Sequence, residues 1–312
     1  MLSKAEKAFR LNLLASRMRA AGLFPKFLET SSLGAFRVVN AYDDHRSATV
    51  MHPSACTGLS TCEYTAALKA LTEWLERQVV RSSPEAFPNG TEGVAGWDVP
   101  SLLHKRGSQI SAEGHALREA CERNIWSRWC DDASIGHTVL EGNNLARLLT
   151  PAGKAARQFL YEILPKGELI AVVPNASDVF PSKLIFAAYL LAGDQGVITG
   201  GAAAPVGKET GALEHGLTEL VRHALAFNRA IGDGVRAKSV YDQRLIWMAS
   251  PAGFASLKNR LSCGSSDAEV SMPSFEYNET IQNPGFSFAT FHRVGFVDHP
   301  AFIGTHVERL CL

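Results

Sequence analysis

The feature of this sequence that most constrains its fold is an acidic-basic pattern that occurs twice, each time in an Ala- and Leu-rich stretch. The residues of the two copies are Glu73, Glu76, Arg77, Glu119, Glu122 and Arg123. Residues three and four positions apart share one face of an α-helix, so each copy places two carboxylates and a guanidinium side by side. A third, looser copy centres on Glu219. The sequence therefore predicts three helices that repeat one chemistry.

This chemistry allows two interpretations. Carboxylates from separate helices can bind divalent cations, and arginines can bind phosphate. Together these groups could form a binding site for a nucleotide polyphosphate that has no P-loop. The simpler interpretation is a solvated helix face with an i,i+4 ion pair, and the first copy fits it well. The second helix favours a half-buried cleft, because large aromatics share its acidic stripe. That stripe consists of His115, Glu119, Glu122, Trp126 and Trp129.

Composition excludes several classes of protein. The 312 residues carry 31 basic and 31 acidic side chains, and this balance argues against bulk binding to nucleic acid or to an anionic membrane. No apolar stretch reaches the length of a transmembrane helix. None of the six cysteines forms a C-x-x-C pair, so free thiols in a reducing, cytoplasmic environment are expected. P-loop, Rossmann, α/β-hydrolase and H-E-x-x-H motifs are also absent.

The order of the predicted elements indicates an α+β fold. An N-terminal helical extension is expected over residues 1–34, followed by a hairpin over 35–51 and the first Glu-bearing helix from 58–60 to about 80. Further helices are predicted at 111–129, 150–163 and 210–227. Strands are predicted at 169–173, 184–190, 197–199, 244–248, 287–291 and 294–297. Since helices and hairpins do not alternate regularly, we expect mixed or antiparallel sheets rather than a βαβ repeat, in one domain over 1–312.

The motifs together resemble the signatures of the YcaO-domain family. Residues 58–77 resemble the first signature, a glycine turn that leads into an Ala-rich helix ending in E-x-x-E-R. Residues 115–124 resemble the second signature, residues 212–220 the third, and residues 244–247 a later element. The likeness covers roughly residues 35–310, and the order of the motifs is specific.

The resemblance implies an ATP- and Mg²⁺-dependent cyclodehydratase, in which phosphorylation of a peptide amide oxygen leads to a thiazoline or oxazoline ring. It implies that the glutamates converge on one nucleotide site, as Mg²⁺ ligands acting directly or through water: Glu73, Glu76, Glu119, Glu122 and Glu219. It assigns nucleotide binding to Arg77, Arg123, His215 and Arg222. It singles out no catalytic residue.

The resemblance also implies a biological setting, namely the cytoplasmic biosynthesis of ribosomally made, thiazole- or oxazole-modified peptides such as bacteriocins and other antibiotics. The implied partners are a precursor peptide, a separate leader-binding protein, a flavin-dependent dehydrogenase and a second copy of the chain. The sequence departs from the family where Gly58-Leu59-Ser60 replaces a glycine-lysine-glycine turn. Three alternatives therefore stay open: a catalytically degenerate scaffold subunit, a relative that makes thioamides or amidines, and an unrelated α+β protein whose charged helices arise by chance.

Overall fold

The computed structural model describes residues 3–43, 56–82, 112–164, 166–178, 180, 182–205, 207–232, 240–263, 267–281, 289, 291–297, 308 and 310. The chain divides into two compact units. Unit 1 comprises Met1–Ala120 and Phe275–Phe296, and unit 2 comprises Cys121–Ser274 and Val297–Leu312. Across the described ranges, no helix has the length and apolarity that a membrane crossing needs.

The described elements alternate between helices and short runs of strands. The helices are α1 (Lys4–Ala20), α2 (Glu63–Ser82), α3 (Ala112–Asp131), α4 (Gly142–Leu148), α5 (Pro151–Ile163), α6 (Glu209–Gly232), α7 (Val240–Met248) and α8 (Pro251–Ser262). The strands are β1 (Phe27–Leu33), β2 (Phe36–Tyr42), β3 (Cys56–Ser60), β4 (His137–Leu140), β5 (Gly167–Pro174), β6 (Ser182–Leu191), β7 (Val197–Pro205), β8 (Phe275–Ile281) and β9 (Phe291–Phe296).

Unit 1 is built on an antiparallel sheet of order β1-β2-β3, with β8 and β9 forming a separate antiparallel pair. Helix α1 begins with a capping box between Ser3 and Glu6, which satisfies two otherwise unpaired backbone donors. The apolar sides of α1, α2 and β2 meet in one core, which includes Leu14, Leu71 and Val39. Burial of these side chains supplies the main stabilisation of the unit.

Unit 2 is built on an antiparallel sheet of order β4-β5-β6-β7. Strands β6 and β7 are almost entirely buried, as expected for strands covered on both faces. Thr150 caps α5 by accepting a hydrogen bond from the Gly153 N–H, and its hydroxyl also donates to Glu214 of α6 over 2.5 Å. These bonds fix α5 against α6, the longest helix of unit 2.

Two adjacent glycines of β7 show how closely helices approach both faces of this sheet. A Cβ atom on Gly200 would lie 2.3 Å from the backbone nitrogen of Leu220 and 2.5 Å from the carbonyl oxygen of Gly216, both in α6. A Cβ atom on Gly201 would lie 2.2 Å from the ring of Trp126 in α3. Successive strand residues point to opposite faces, so α6 and the carboxyl half of α3 cover opposite faces of the sheet.

The two units share one order of elements. In unit 1 the order is α1-β1-β2-β3-α2, and in unit 2 the order α5-β5-β6-β7-α6 repeats it. In each unit the last strand carries a glycine directly beneath the long helix that follows, Gly58 beneath α2 and Gly200 beneath α6. Each of these long helices carries one of the predicted acidic patterns.

The structure confirms the α+β class, the antiparallel sheets and the helices predicted at 150–163 and 210–227. The five described cysteines are free thiols, as expected. The strands predicted at 169–173 and 184–190 correspond to β5 and β6. Predicted strand 47–51, the helix cap at 111 and most of 287–291 lie outside the described residues. One domain over 1–312 stays a prediction.

Four of the predicted helices and strands had the wrong type or the wrong boundaries. The predicted strand 244–248 belongs to helix α7, because the periodicity of a short apolar run does not distinguish a buried strand from a helix. The strand predicted at 197–199 is longer than predicted, because residues 200–205 continue β7, where glycine and alanine admit the helices on both faces. Residues 58–60 end strand β3, and α2 begins at Glu63. The extension 1–34 contains α1 but also strand β1, which pairs with β2.

Candidate functional site

Helix α2 presents the first acidic pattern on a half-buried face. The Arg77 guanidinium donates to Glu73 Oε1 over 2.6 Å, and the two side chains are 30% and 26% exposed. Glu76 is half-buried as well. The i,i+4 ion pair of the simpler interpretation is therefore present, on a surface less exposed than an ordinary solvated helix face.

Helix α3 carries the second pattern together with the tryptophans of its stripe. Trp126 and Trp129 are buried, and Trp126 stacks on Phe186 of β6 with ring centroids 5.3 Å apart. Glu119, Glu122 and Arg123 are half-buried, whereas His115 is exposed. The mixed aromatic and acidic stripe thus lies at a partly covered surface, as its composition predicts.

Glu122 has a defined position within unit 2. Its Oε2 accepts a hydrogen bond from the backbone N–H of Ala203 in β7 over 2.9 Å. This bond orients one oxygen of the carboxylate, which has about four acceptor positions in all. The edge of β7 therefore contributes to setting where this candidate ligand lies.

Arg260 of α8 holds the carboxyl end of α3 in place. Its Nε donates to the carbonyl of Trp129 and its Nη2 to the carbonyl of Ile135, both over 2.5 Å. The guanidinium lies 4.4 Å from the centroid of the Trp129 ring, and Arg260 is buried. A cation beside the carbonyl end of a helix is favourable, so Arg260 stabilises the helix that carries Glu122.

Helix α6 carries the third pattern as a compact charged group. Arg222 Nη2 lies 2.6 Å from Glu219 Oε2, and His215 Nε2 lies 3.9 Å from Glu219 Oε1. Glu219 and Arg222 are 23% and 25% exposed, and His215 is 55% exposed. Arg222 neutralises and orients the half-buried carboxylate, and His215 lies at the solvent side of the group.

His223 follows this group on α6 and is buried in unit 2. Its Nδ1 lies 2.6 Å from the carbonyl oxygen of Thr199 in β7. A carbonyl oxygen only accepts, so Nδ1 carries the proton and donates. Burial, assisted by the charge of Arg222, lowers the pKa of His223 to about 4, so the ring is neutral at physiological pH.

We expect this histidine to make the protein less stable in acid. Its pKa is about 4 in the folded chain, against 6.5 for an unperturbed histidine, so between these values the unfolded chain binds a proton that the folded chain does not. Stability from this source is present above pH 6.5 and is lost as the pH falls towards 4. Urea unfolding of the metal-free protein at about pH 7 and about pH 4.5 is expected to show a loss of about 2 kcal/mol from this group.

The matched variant for this measurement is His223→Asn, which keeps a hydrogen-bond donor but has no titrating ring. Its loss of stability between the two pH values is expected to be smaller than that of the wild type by the same amount. Equal losses in the two proteins would contradict a buried neutral histidine.

The predicted ligands come from helices of both units, Glu73, Glu76 and Glu119 from unit 1 and Glu122 and Glu219 from unit 2. Within unit 2, Glu122 and His223, which lies one turn after Glu219, are both hydrogen-bonded to one strand, β7. Among the residues that the structure describes, no group of three or more His, Cys, Asp or Glu side chains forms a ready metal site. Convergence of all five glutamates around one nucleotide stays a prediction.

Sequence reasoning missed the residues that position the acidic groups. They are His223, which lies one turn after Glu219 on the same helix face, and the backbone of β7. The spacing of Glu219 and His223 was the usable signal, whereas a hydrogen bond to a strand edge has no signal in the sequence.

Similarity of this chain to known proteins is detected through its fold. No protein-family model matches the chain, and no curated protein matches it either. The structure of YcaO from Methanopyrus kandleri bound with AMPPCP and Mg²⁺ matches with a TM-score of 0.58 over 95% of this chain and 92% of that chain, at 14% identity. The chain has the YcaO fold.

The YcaO fold also recurs in a complex. The E. coli microcin synthetase McbBCD complex with pro-MccB17 bound contains a chain that matches with a TM-score of 0.54 and 10% identity. A second structure of the E. coli McbBCD complex matches with a TM-score of 0.51 and 9% identity. Each of these two matches covers 88% of both chains. Sequence identities of 9–14% establish a shared fold. This confirms the fold that was expected from the sequence.

Proposed function

We propose that this YcaO-fold chain is an ATP- and Mg²⁺-dependent enzyme that activates a backbone amide of a ribosomally made precursor peptide. The product is a thiazoline or oxazoline, and the chain works as the cyclodehydratase subunit of a modification complex. The observation that carries the proposal is the match over nearly the whole chain to a YcaO structure that holds AMPPCP and Mg²⁺. The acidic patterns found independently in the sequence support it.

The residues of unit 2 fit Mg²⁺ and a polyphosphate. Mg²⁺ prefers oxygen ligands and is usually bound through one or two carboxylates together with substrate phosphates. Glu122 and Glu219 supply carboxylates that are half-buried and already oriented, by Ala203 and Arg222 respectively. Arg222 supplies a guanidinium suited to phosphate. Glu73, Glu76, Glu119, Arg77, Arg123 and His215 complete the proposed set.

The proposed chemistry converts the amide oxygen of the peptide, which is a poor leaving group, into a phosphate ester, which is a good one. A Cys thiol or a Ser or Thr hydroxyl of the peptide loses its proton to solvent as its sulfur or oxygen adds to the preceding amide carbonyl carbon. The former amide oxygen takes the γ-phosphoryl group of ATP, which releases ADP. Phosphate then leaves with that oxygen while the nitrogen loses its proton and forms the C=N bond. Such phosphoryl transfer depends on positioning and charge neutralisation more than on protein nucleophiles, which agrees with a site made of carboxylates and guanidinium groups.

We further propose that the chain works with partner proteins. The McbBCD match is a multi-subunit complex with a peptide, pro-MccB17, bound. By analogy this chain acts on a precursor peptide delivered by a leader-binding protein, and a flavin-dependent dehydrogenase and a second copy of the chain are further candidate partners. A short Cys-, Ser- and Thr-rich precursor encoded beside this chain would support the assignment.

Calorimetric titration of the purified chain with AMPPCP tests the nucleotide site directly. We expect saturable binding with one nucleotide per chain in the presence of Mg²⁺, and binding at least about tenfold weaker with EDTA, since the metal bridges carboxylates and phosphates. The variant Glu219→Gln is expected to lose a similar factor. Absence of binding to the wild-type chain, both alone and with its partners, would favour the scaffold alternative instead.

A further inference from the structure

The two candidate ligands of unit 2 come from opposite faces of one sheet. Glu122 belongs to α3, which packs on Gly201 through Trp126, and Glu219 belongs to α6, which packs on Gly200. Side chains from helices on opposite faces of a sheet cannot meet through it. They can meet only beyond an edge strand, and β7 is the last strand of this sheet in the described residues.

Both helices are hydrogen-bonded to the edge of that strand. Glu122 accepts from the N–H of Ala203, and His223 donates to the carbonyl of Thr199. In an antiparallel strand, residues of the same parity direct their backbone N–H and C=O groups to the same side. Thr199 and Ala203 have the same parity, so both bonds lie on one edge, about 13 Å apart along the strand.

The direction of α6 brings Glu219 towards Glu122. Gly216 of α6 lies near Gly200 and Ala202, and His223 contacts Thr199, so α6 runs antiparallel to β7. Glu219 precedes His223 by four residues, which places it about 6 Å nearer to the Ala203 end. The bond from His223 to Thr199 therefore sets how far the Glu219–Arg222 pair lies from Glu122.

His223 is suited to this task by its chemistry. It is 5% exposed and neutral, and its donor bond to Thr199 is 2.6 Å long. A neutral ring places no second positive charge behind Arg222, which would otherwise compete for the Glu219 carboxylate. Thr199 is itself fixed, because its hydroxyl donates to the carbonyl of Leu310 over 3.0 Å.

We propose that the outer edge of β7 is the template that aligns the metal-binding carboxylates of unit 2, and that His223 is the positioning residue for the Glu219–Arg222 pair. This inference rests on the proposed function, because the aligned groups matter only if they bind Mg²⁺ and nucleotide. His223 itself contacts neither ligand in this proposal and acts through the helix that carries Glu219.

The test compares two substitutions of His223 in the full-length chain. His223→Leu removes the donor and keeps the size, whereas His223→Asn places an amide N–H close to the position of Nδ1. Calorimetry with AMPPCP and Mg²⁺ is the readout, and circular dichroism checks the fold. We expect His223→Leu to bind about fivefold to tenfold more weakly, because without the donor α6 is no longer held in register with β7 and the Glu219–Arg222 pair shifts. His223→Asn is expected to remain within about threefold of wild type.

A second pair of variants tests the other end of the template and does not depend on the folding of His223→Leu. Ala203→Pro removes the outward N–H that Glu122 accepts from, and proline is tolerated where a strand N–H points away from its neighbour. Ala203→Gly keeps this N–H and is the matched control. Weaker binding in the proline variant alone is the expected result.

The outcomes separate this inference from the proposed function. If the wild-type chain does not bind AMPPCP with Mg²⁺, the proposed function fails. If the wild-type chain binds, but folded His223→Leu and Ala203→Pro bind equally well, the template is wrong and the function stands. Equal losses in His223→Leu and His223→Asn would also overturn the positioning role, because they would indicate packing alone.

Discussion

Replacing Glu122 by Gln is expected to lower ATP turnover at least about 100-fold in the reconstituted complex while leaving the fold intact. The amide oxygen of Gln still accepts the Ala203 N–H bond, so α3 keeps its place at the edge of β7. The negative charge that we assign to Mg²⁺ is lost, and removal of one group that stabilises transition-state charge costs about 10²–10³ in rate. Glu119→Gln, one turn earlier on the same helix, is expected to abolish turnover in the same way.

The matched control for these variants is Glu113→Gln, which removes one carboxylate from the exposed first turn of α3. Its turnover is expected to stay within about twofold of wild type, since an exposed charge far along the helix is largely screened. Phosphate release is the measurement, at saturating precursor peptide. Unchanged turnover in Glu122→Gln and Glu119→Gln would contradict the assignment of the acidic pattern to metal and would favour the scaffold alternative.

Replacing Gly200 by Ala is expected to destabilise the protein by about 3 kcal/mol. The new methyl group would lie 2.3 Å and 2.5 Å from backbone atoms of α6, and backbone cannot rotate away as a side chain can. The helix must therefore move off the sheet, which breaks the packing of buried Leu217 and Leu220. Urea unfolding monitored by circular dichroism measures the change.

Gly211→Ala is the matched control for this prediction, because Gly211 lies in the same helix and its added Cβ would have no atom within 4 Å apart from its chain neighbours and the nearby backbone of its own helix. Alanine has a higher helix propensity than glycine, so this variant is expected to be as stable as wild type or more stable by up to about 1 kcal/mol. A similar stability for Gly200→Ala and Gly211→Ala would show that α6 does not rest on β7 as closely as described.

The Glu-bearing helices and the chemistry of their faces were predictable from the sequence, because a helix repeats every 3.6 residues and its side-chain neighbours are local. Strands β5 and β6 were predictable for a related reason, since their continuous apolar runs are bounded by proline and glycine. Helix α7 and the extension of β7 were not predictable, because in both the packing of distant elements overrides the local pattern. The run 200–204 resembles a flexible turn until Trp126 and α6 are in place around it.

Local patterns of residue types were enough to predict the repeated acidic faces, the α+β class and the resemblance that pointed to the fold. The long-range packing was needed to show that α3 and α6 cover opposite faces of one sheet and that His223 and Glu122 bind the same edge of β7. The physical reason is that helix periodicity is local, whereas the bonds to Thr199 and Ala203 join residues 24 and 81 positions apart. Contacts at such separations depend on how the sheet is assembled, and no local pattern of residue types encodes them.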